Sequence, residues 1–269
     1  EDVFTWSVAP RFEISDFTTL YARVAKGYRP GGPNVVPPGA GPNFPTQFNA
    51  DTLISYEAGV RAETPGREFS IDASVYYLDW SDIQVLVTYN TAIGPVNADG
   101  NGETATSKGA EVTATLRPTR GFEIVASVAY NDASLDEDLP DGNGGFAGDR
   151  LPYAPEWTAN LAADYEWSVG DRGTAFVGGN VTLISDRAGN FDANYQATFG
   201  NRLQLDGYAT ADLRAGVRLD RFSINAYVRN VTDSRGLTSL GSFLLRPGTT
   251  LSAAPIRPRT FGVTVGAEF

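Results

Sequence analysis

Residues able to do chemistry are sparse in this sequence, and two of the most versatile are missing. It contains no histidine and no cysteine. The first absence removes the commonest general base and transition-metal ligand, and the second removes disulfides and thiolate metal sites. Asn97-Ala-Asp99-Gly-Asn101-Gly102 echoes the opening of an EF-hand loop, yet its twelfth position is Lys108 where a bidentate glutamate is needed. The acidic run Asp136-Glu137-Asp138, with Asp141 and Asp149, reads as a solvated loop before it reads as a cation site. Asn180-Val-Thr182 and Asn230-Val-Thr232 match the glycosylation pattern but fall inside strand-like stretches. Arg29-Pro-Gly-Gly32 is a turn, with no lysine and no helix after it to cradle a phosphate. We assign no catalytic, metal-binding or cofactor-binding residue, and the expectation is a non-enzyme.

The elements that must carry these residues are strands. From Tyr208 to Leu219, Ala209, Ala211, Leu213, Ala215, Val217 and Leu219 alternate with Thr210, Asp212, Arg214, Gly216 and Arg218. Phe222, Ile224, Ala226 and Val228 repeat the pattern, as do Phe261, Val263, Val265, Ala267 and Phe269. No segment keeps a helical period. About eleven strands are expected, near 3–14, 17–28, 52–63, 68–90, 106–117, 121–134, 154–167, 173–185, 206–219, 221–232 and 257–269. Most reach the 9–11 residues that cross a bilayer when tilted.

The connections alternate between tight turns (15–16, 64–67, 118–120, 168–172 and 220) and long stretches (29–51, 91–105, 135–150, 186–205 and 233–256). A closed outer-membrane barrel has this asymmetry, with short turns on the periplasmic side and long loops outside. A net charge of -11 argues against nucleic acid as a partner. The polar faces hold Glu57, Arg61, Glu111, Arg117, Asp212 and Arg214. At ~2–4 kcal/mol for each arginine at mid-bilayer, such residues belong in a wet lumen. Their mixed signs favour pairing across strands over a single-charge path for a ligand. Trp80, Trp157, Trp167, Tyr28, Tyr130 and Tyr165 lie near strand ends, where interfacial aromatic girdles form.

In order and spacing the chain resembles the C-terminal part of TonB-dependent outer-membrane receptors. The resemblance is carried by Tyr21-Ala-Arg-Val-Ala-Lys-Gly-Tyr-Arg-Pro-Gly-Gly-Pro-Asn34, Ser55-Tyr-Glu-Ala-Gly-Val-Arg61 and Val75-Tyr-Tyr-Leu-Asp-Trp-Ser-Asp-Ile-Gln84. It continues through Ser107-Lys-Gly-Ala-Glu-Val112, Leu151-Pro-Tyr-Ala-Pro-Glu-Trp157, Arg229-Asn-Val-Thr-Asp233 and Pro258-Arg-Thr-Phe-Gly262. It implies an all-β, antiparallel transmembrane β-barrel, with residues 1–269 supplying about half of a 22-stranded barrel and lacking its plug. The opening Glu1-Asp2-Val3-Phe4, with no methionine, agrees with an excised fragment.

The resemblance further implies active import of a scarce nutrient, by default a ferric siderophore, across the bacterial outer membrane. Its partners would be the TonB–ExbB–ExbD complex, the barrel assembly machinery, and outer-membrane lipid with lipopolysaccharide. Phe44, Phe48, Phe191, Tyr195 and Phe243 are candidate ligand contacts in the long loops. Phe261, Val263, Val265 and Phe269 would form the terminal assembly signal. Two other readings compete: a small complete outer-membrane pore, and a secreted ligand-binding β-sandwich. Barrel enzymes of the omptin or outer-membrane phospholipase type use a histidine base that this chain lacks.

Overall fold

The computed structural model describes residues 3–139, 144–241 and 252–268. β1 (Trp6–Val8) and β2 (Arg11–Ser15) are two pieces of one strand, interrupted at Ala9-Pro10, and both pair with β3 (Thr18–Arg29). Proline has no N–H to give the ladder, while its carbonyl still accepts from Ala22 N at 3.0 Å. A short ladder of β4 (Gly32–Pro33) and β5 (Gln47–Phe48) decorates the first long connection. β6 (Asp51–Glu63) and β7 (Phe69–Ser81) follow, then a hairpin of β8 (Gln84–Thr91) and β9 (Gly94–Asn101). β10 (Thr104–Thr119), β11 (Phe122–Leu135), β12 (Trp157–Val169) and β13 (Gly173–Ile184) are long antiparallel neighbours. The next long connection carries β14 (Arg187–Ala188), the helix α1 (Ala193–Phe199) and β15 (Gln204–Leu205). β16 (Tyr208–Leu219) and β17 (Phe222–Arg229) come next, then the small ladder β18 (Leu237–Gly241) with β19 (Ser252–Pro255), and β20 (Thr260–Ala267) closes the order.

The long strands form one antiparallel sheet in the order β1-β3-β6-β7-β10-β11-β12-β13-β16-β17-β20, with β2 also on β3. Counting β1 and β2 as one strand, this is the meander that the alternation and connection lengths predict. The expected strand 68–90 divides in two. Asp82 takes a left-handed backbone (φ 55), ending β7, so that β8 and β9 rise as a separate hairpin within the long connection. That hairpin absorbs the EF-hand-like segment, because Asn97 to Asn101 lie in β9, paired with β8. The helix α1 is too short to leave a period in the sequence. Asp192 caps it by accepting from Tyr195 N at 3.0 Å, and Gly200 ends it at φ 76.

Register aligns the apolar positions into an unbroken outer face. Leu213 lies opposite Val228, Ile224 opposite Val265, Val177 opposite Tyr165, and Val112 opposite Val128. This face is open to the surroundings: Leu213 is 55% exposed and Val265 71%. Water would penalise so large an apolar patch, whereas lipid accepts it. Aromatic clusters mark its two borders. Tyr130 packs tilted against Trp157 at 4.8 Å near the long connections, and Tyr165 stacks on Trp167 at 5.3 Å near the short turns. Along β12, ten residues at about 3.3 Å each and a tilt near 45° give about 23 Å of height, close to the ~25 Å apolar band of outer-membrane barrels. Trp80 departs from the expected girdle. It occupies the opposite, polar face of β7, beneath Arg29.

On that inner face several of the charges pair across strands. Arg61 meets Asp72 at 2.8 Å, Arg117 meets Glu123 at 2.7 Å, and Arg214 grips Asp164 through both oxygens at 2.6 and 2.7 Å. Glu57 accepts from the Tyr21 hydroxyl at 2.7 Å. Long inner side chains lie flat because glycine sits opposite them. Tyr21 covers Gly59, Phe176 covers Gly216 and Tyr227 covers Gly262, and a β-carbon at each glycine would fall within 2.6 Å of the ring. The motifs Ser55 to Arg61 and Pro258 to Gly262 owe their glycines to these joints.

Dry packing is found elsewhere. Apart from Ala25, the buried apolar side chains described all lie at the long-connection end. Ile83, Ala105, Ala133, Leu135, Leu139 and Leu151 form one cluster, and Ala40, Phe44 and Ala98 another. The long connections are therefore a folded cap on a sheet whose own faces meet lipid and lumen.

Candidate functional site

Within that cap lies a cavity of about 720 Å³, inside the size range of small-molecule sites. The ends of β3 and β7 supply Arg29 and Trp80, and the β8–β9 hairpin supplies Gln84, Leu86 and Asn97. Tyr153 reaches it from the segment before β12, Phe191 and Tyr195 from around α1, and Leu240 and Ala253 from the β18–β19 ladder. Four long connections thus converge on one space that no single strand could define.

One corner is tightly built. Asp51, the first residue of β6, is 1% exposed. It accepts from Arg29 Nε at 2.8 Å, from Arg29 Nη2, and from the backbone N–H groups of Arg29 and Gln84 at 3.2 Å each. The Arg29 guanidinium lies 4.7 Å over the Trp80 ring, a cation–π contact. Gln84 Nε2 donates to the Pro30 and Asn49 carbonyls at 3.0 and 3.1 Å. Strand ends and hairpin are locked by side chains that the turn reading of Arg29-Pro-Gly-Gly32 left out.

Behind the lining ring of Phe191 is Arg202, which donates to the Arg150 and Gly189 carbonyls at 2.7 Å each and lies 4.4 Å over that ring. Burial lowers its pKa from the ordinary arginine value, an effect that Asp149 opposes and Arg150 reinforces. Below it, Tyr153 donates to Leu240 O at 2.9 Å. The motif Leu151 to Trp157 therefore anchors the cap through a buried leucine and a tethered tyrosine.

The base of the last long connection is a second polar clip. Asn230 is buried with a left-handed backbone (φ 51). Its Nδ2 donates to Ser234 O and Arg257 O at 2.9 and 3.0 Å, its Oδ1 accepts from Ser234 N at 2.8 Å, and its own N–H reaches Asp212 Oδ1 at 2.8 Å. Asp233 accepts from Arg259 N at 3.0 Å, and that bond, with Arg235 alongside, holds its carboxyl below the usual range against the opposing effect of desolvation. The stretches Arg229 to Asp233 and Pro258 to Gly262 thereby fasten β17 to β20.

The candidate ligand contacts separate. Phe191 and Tyr195 line the cavity. Phe44 is buried edge-on against Tyr89 at 5.6 Å, and Phe48 lies in β5 with its ring against Gly32. In this arrangement both are inside the cap, away from the cavity. Phe243, and Phe269 of the terminal signal, lie outside the described residues. Arg29, Trp80 and Gln84 were legible only as a turn, a girdle ring and a strand continuation, since their convergence depends on contacts distant in sequence.

Residues 1–231 match the family model described as TonB dependent receptor-like, beta-barrel. The pesticin receptor of Yersinia pestis is 27% identical over 274 aligned residues, covering the whole of this chain and 36% of that protein. The solved ferric yersiniabactin uptake receptor FyuA from Yersinia pestis superposes with a TM-score of 0.77 at 24% identity, over 98% of this chain and 37% of that one. The ferric-catecholate import receptor Fiu from E. coli K12 superposes with a TM-score of 0.71 at 18% identity, over 98% of this chain and 35% of that one. The chain therefore spans about a third of the length of these relatives. With an apolar outer face, a paired polar inner face and long connections gathered at one end, this chain belongs to the TonB-dependent receptor family, as part of its outer-membrane β-barrel.

Proposed function

We propose that this chain is part of the wall and outer cap of an active importer of a ferric siderophore. The observation that carries the reading is the cavity lined by four long connections at one end of a transmembrane sheet. The similar receptors are named for ferric yersiniabactin uptake and ferric-catecholate import. In this reading the long connections face outside, the short turns face the periplasm, and lipid with lipopolysaccharide surrounds the apolar face. The TonB–ExbB–ExbD complex supplies energy through parts of the receptor beyond this chain. In iron-starved cells, the full-length receptor is expected to take up a radioiron-labelled ferric siderophore saturably, and to lose that uptake in cells lacking TonB. Flux that persists without TonB would identify a passive pore.

In this reading β20 carries the signal for the barrel assembly machinery. Phe261, Val263 and Val265 stand on the outer face of β20, which among the described residues pairs only with β17. A strand with one free edge and one apolar face suits recognition by strand addition. Deleting Phe269, or Phe269→Asp, is expected to reduce the protease-accessible fraction of full-length receptor in cells far more than loss of a ~1.5–3 kcal/mol burial contribution would. An unchanged surface fraction would make the strand merely structural.

A further inference from the structure

We propose that Arg29 is a carboxylate-recognition residue of the cap cavity, with Asp51 as its positioning residue. The proposal rests on the receptor reading for the cavity's role and adds the chemistry of what the cavity holds. Arg29 is the only cationic side chain among the described residues lining that space. Asp192, the only acidic one, is already used in capping α1.

The guanidinium is divided between structure and solvent. A guanidinium carries five N–H groups in a rigid planar fork. Asp51 engages the Nε–Nη2 edge, and Nη2 also donates to Gln84 O at 3.4 Å. No partner of Nη1 is found among the described residues, and the Arg29 side chain is 49% exposed whereas Asp51 is 2%. One face is covered by Trp80. Nη1 is therefore the donor left for a ligand on the cavity side, and its N–H groups suit a charge-assisted bond to one oxygen of a carboxylate.

The group is also held in place before any ligand arrives. Asp51 fixes both the backbone N–H and the side chain of Arg29, and Gln84 bonds the carbonyls on either side of the turn. A long flexible side chain ordinarily loses rotamer freedom on binding, and here that cost is met on folding. Because Asp51 already balances the charge, the site recognises direction and geometry more than net charge. A ligand bearing a free or metal-bound carboxylate fits it better than its amide does.

The purified full-length receptor should be titrated with benzoate and, separately, with its neutral isostere benzamide, by calorimetry and saturation-transfer NMR. Benzoate is expected to bind about tenfold more tightly, the size of a charge-assisted pair partly open to solvent. Arg29→Gln alone would strand a buried Asp51, so the test variant is the double Arg29→Gln/Asp51→Asn, which keeps polar partners without charge. It should abolish the preference while retaining wild-type heat-modifiable migration. Arg29→Lys keeps the charge without the guanidinium's fixed Nη1 direction and should retain only a fraction of the preference. Equal binding of both probes, no binding of benzoate, or a preference surviving in the double variant would overturn the proposal. Uptake separates the two readings. A receptor importing a ferric siderophore with no benzoate preference overturns this inference alone, and one with the preference but no TonB-dependent uptake overturns the importer alone.

Discussion

Leu213→Arg in the full-length receptor is expected to lower folding stability by ~2–4 kcal/mol, while the adjacent Asp212→Asn costs ~1 kcal/mol or less. Leu213 lies near the middle of β16, on the outer face opposite Val228, and is 55% exposed. Its surroundings are lipid, so a guanidinium there must be desolvated at mid-bilayer or drag water with it. Asp212 points the other way and accepts the Asn230 N–H at 2.8 Å. An amide oxygen can take over that bond. Refolding both variants into lipid vesicles across a urea series measures the two costs directly. Equal losses, or a larger loss at Asp212, would mean that the faces are reversed and that the apolar side lines the interior.

Asn230→Ala is expected to cost about 3–4 kcal/mol and to loosen the junction of β17 with β20. The change removes three side-chain hydrogen bonds, each worth about 1 kcal/mol, and leaves the partner groups at Ser234 and Arg257 without it in a part-buried setting. It also places alanine at φ 51, where asparagine is tolerated better and alanine pays ~1 kcal/mol or more. Asn230→Asp keeps the acceptor for Ser234 N and loses the two donated bonds, so it should fall between wild type and alanine. Unfolding in urea gives the magnitude. Limited proteolysis gives the location, with new cleavage expected between Asp233 and Arg259. A loss below ~1 kcal/mol with no new cleavage would show that the strand ladder alone holds β20.

Alternation, length and punctuation determined the sheet. Side chains in a strand alternate faces with period two, so Ala209 to Leu219 and Phe261 to Ala267 declare one apolar face whatever their neighbours. Glycine, proline and aspartate at tight turns, set against long stretches between other strands, gave the meander order that the hydrogen-bond register confirms. Charges such as Arg61, Arg117 and Arg214 belonged on the inner face for electrostatic reasons visible in the sequence, and the folded sheet pairs them with Asp72, Glu123 and Asp164. The family resemblance, too, was legible from motif order. Its glycines and asparagines mark close approach and turn geometry, as Gly59 under Tyr21 and Asn230 in its clip display.

What tertiary structure alone decided lies at the long-connection end. Period two ran through Asp82 without a break, because the hinge is a single left-handed residue and strands continue on both sides of it. Trp80 looked like a girdle ring because position along a strand shows nearness to an end and not which face a loop will later cover. Phe44 and Phe191 are both aromatic residues in polar loops, yet one is sealed against Tyr89 and the other lines a cavity. Asp51 is one acidic residue among many until Arg29, Trp80 and Gln84 are brought around it from three other elements. Local patterning encodes what a strand does to its own side chains. A binding cavity is made of contacts between segments dozens of residues apart, and only the folded chain specifies those.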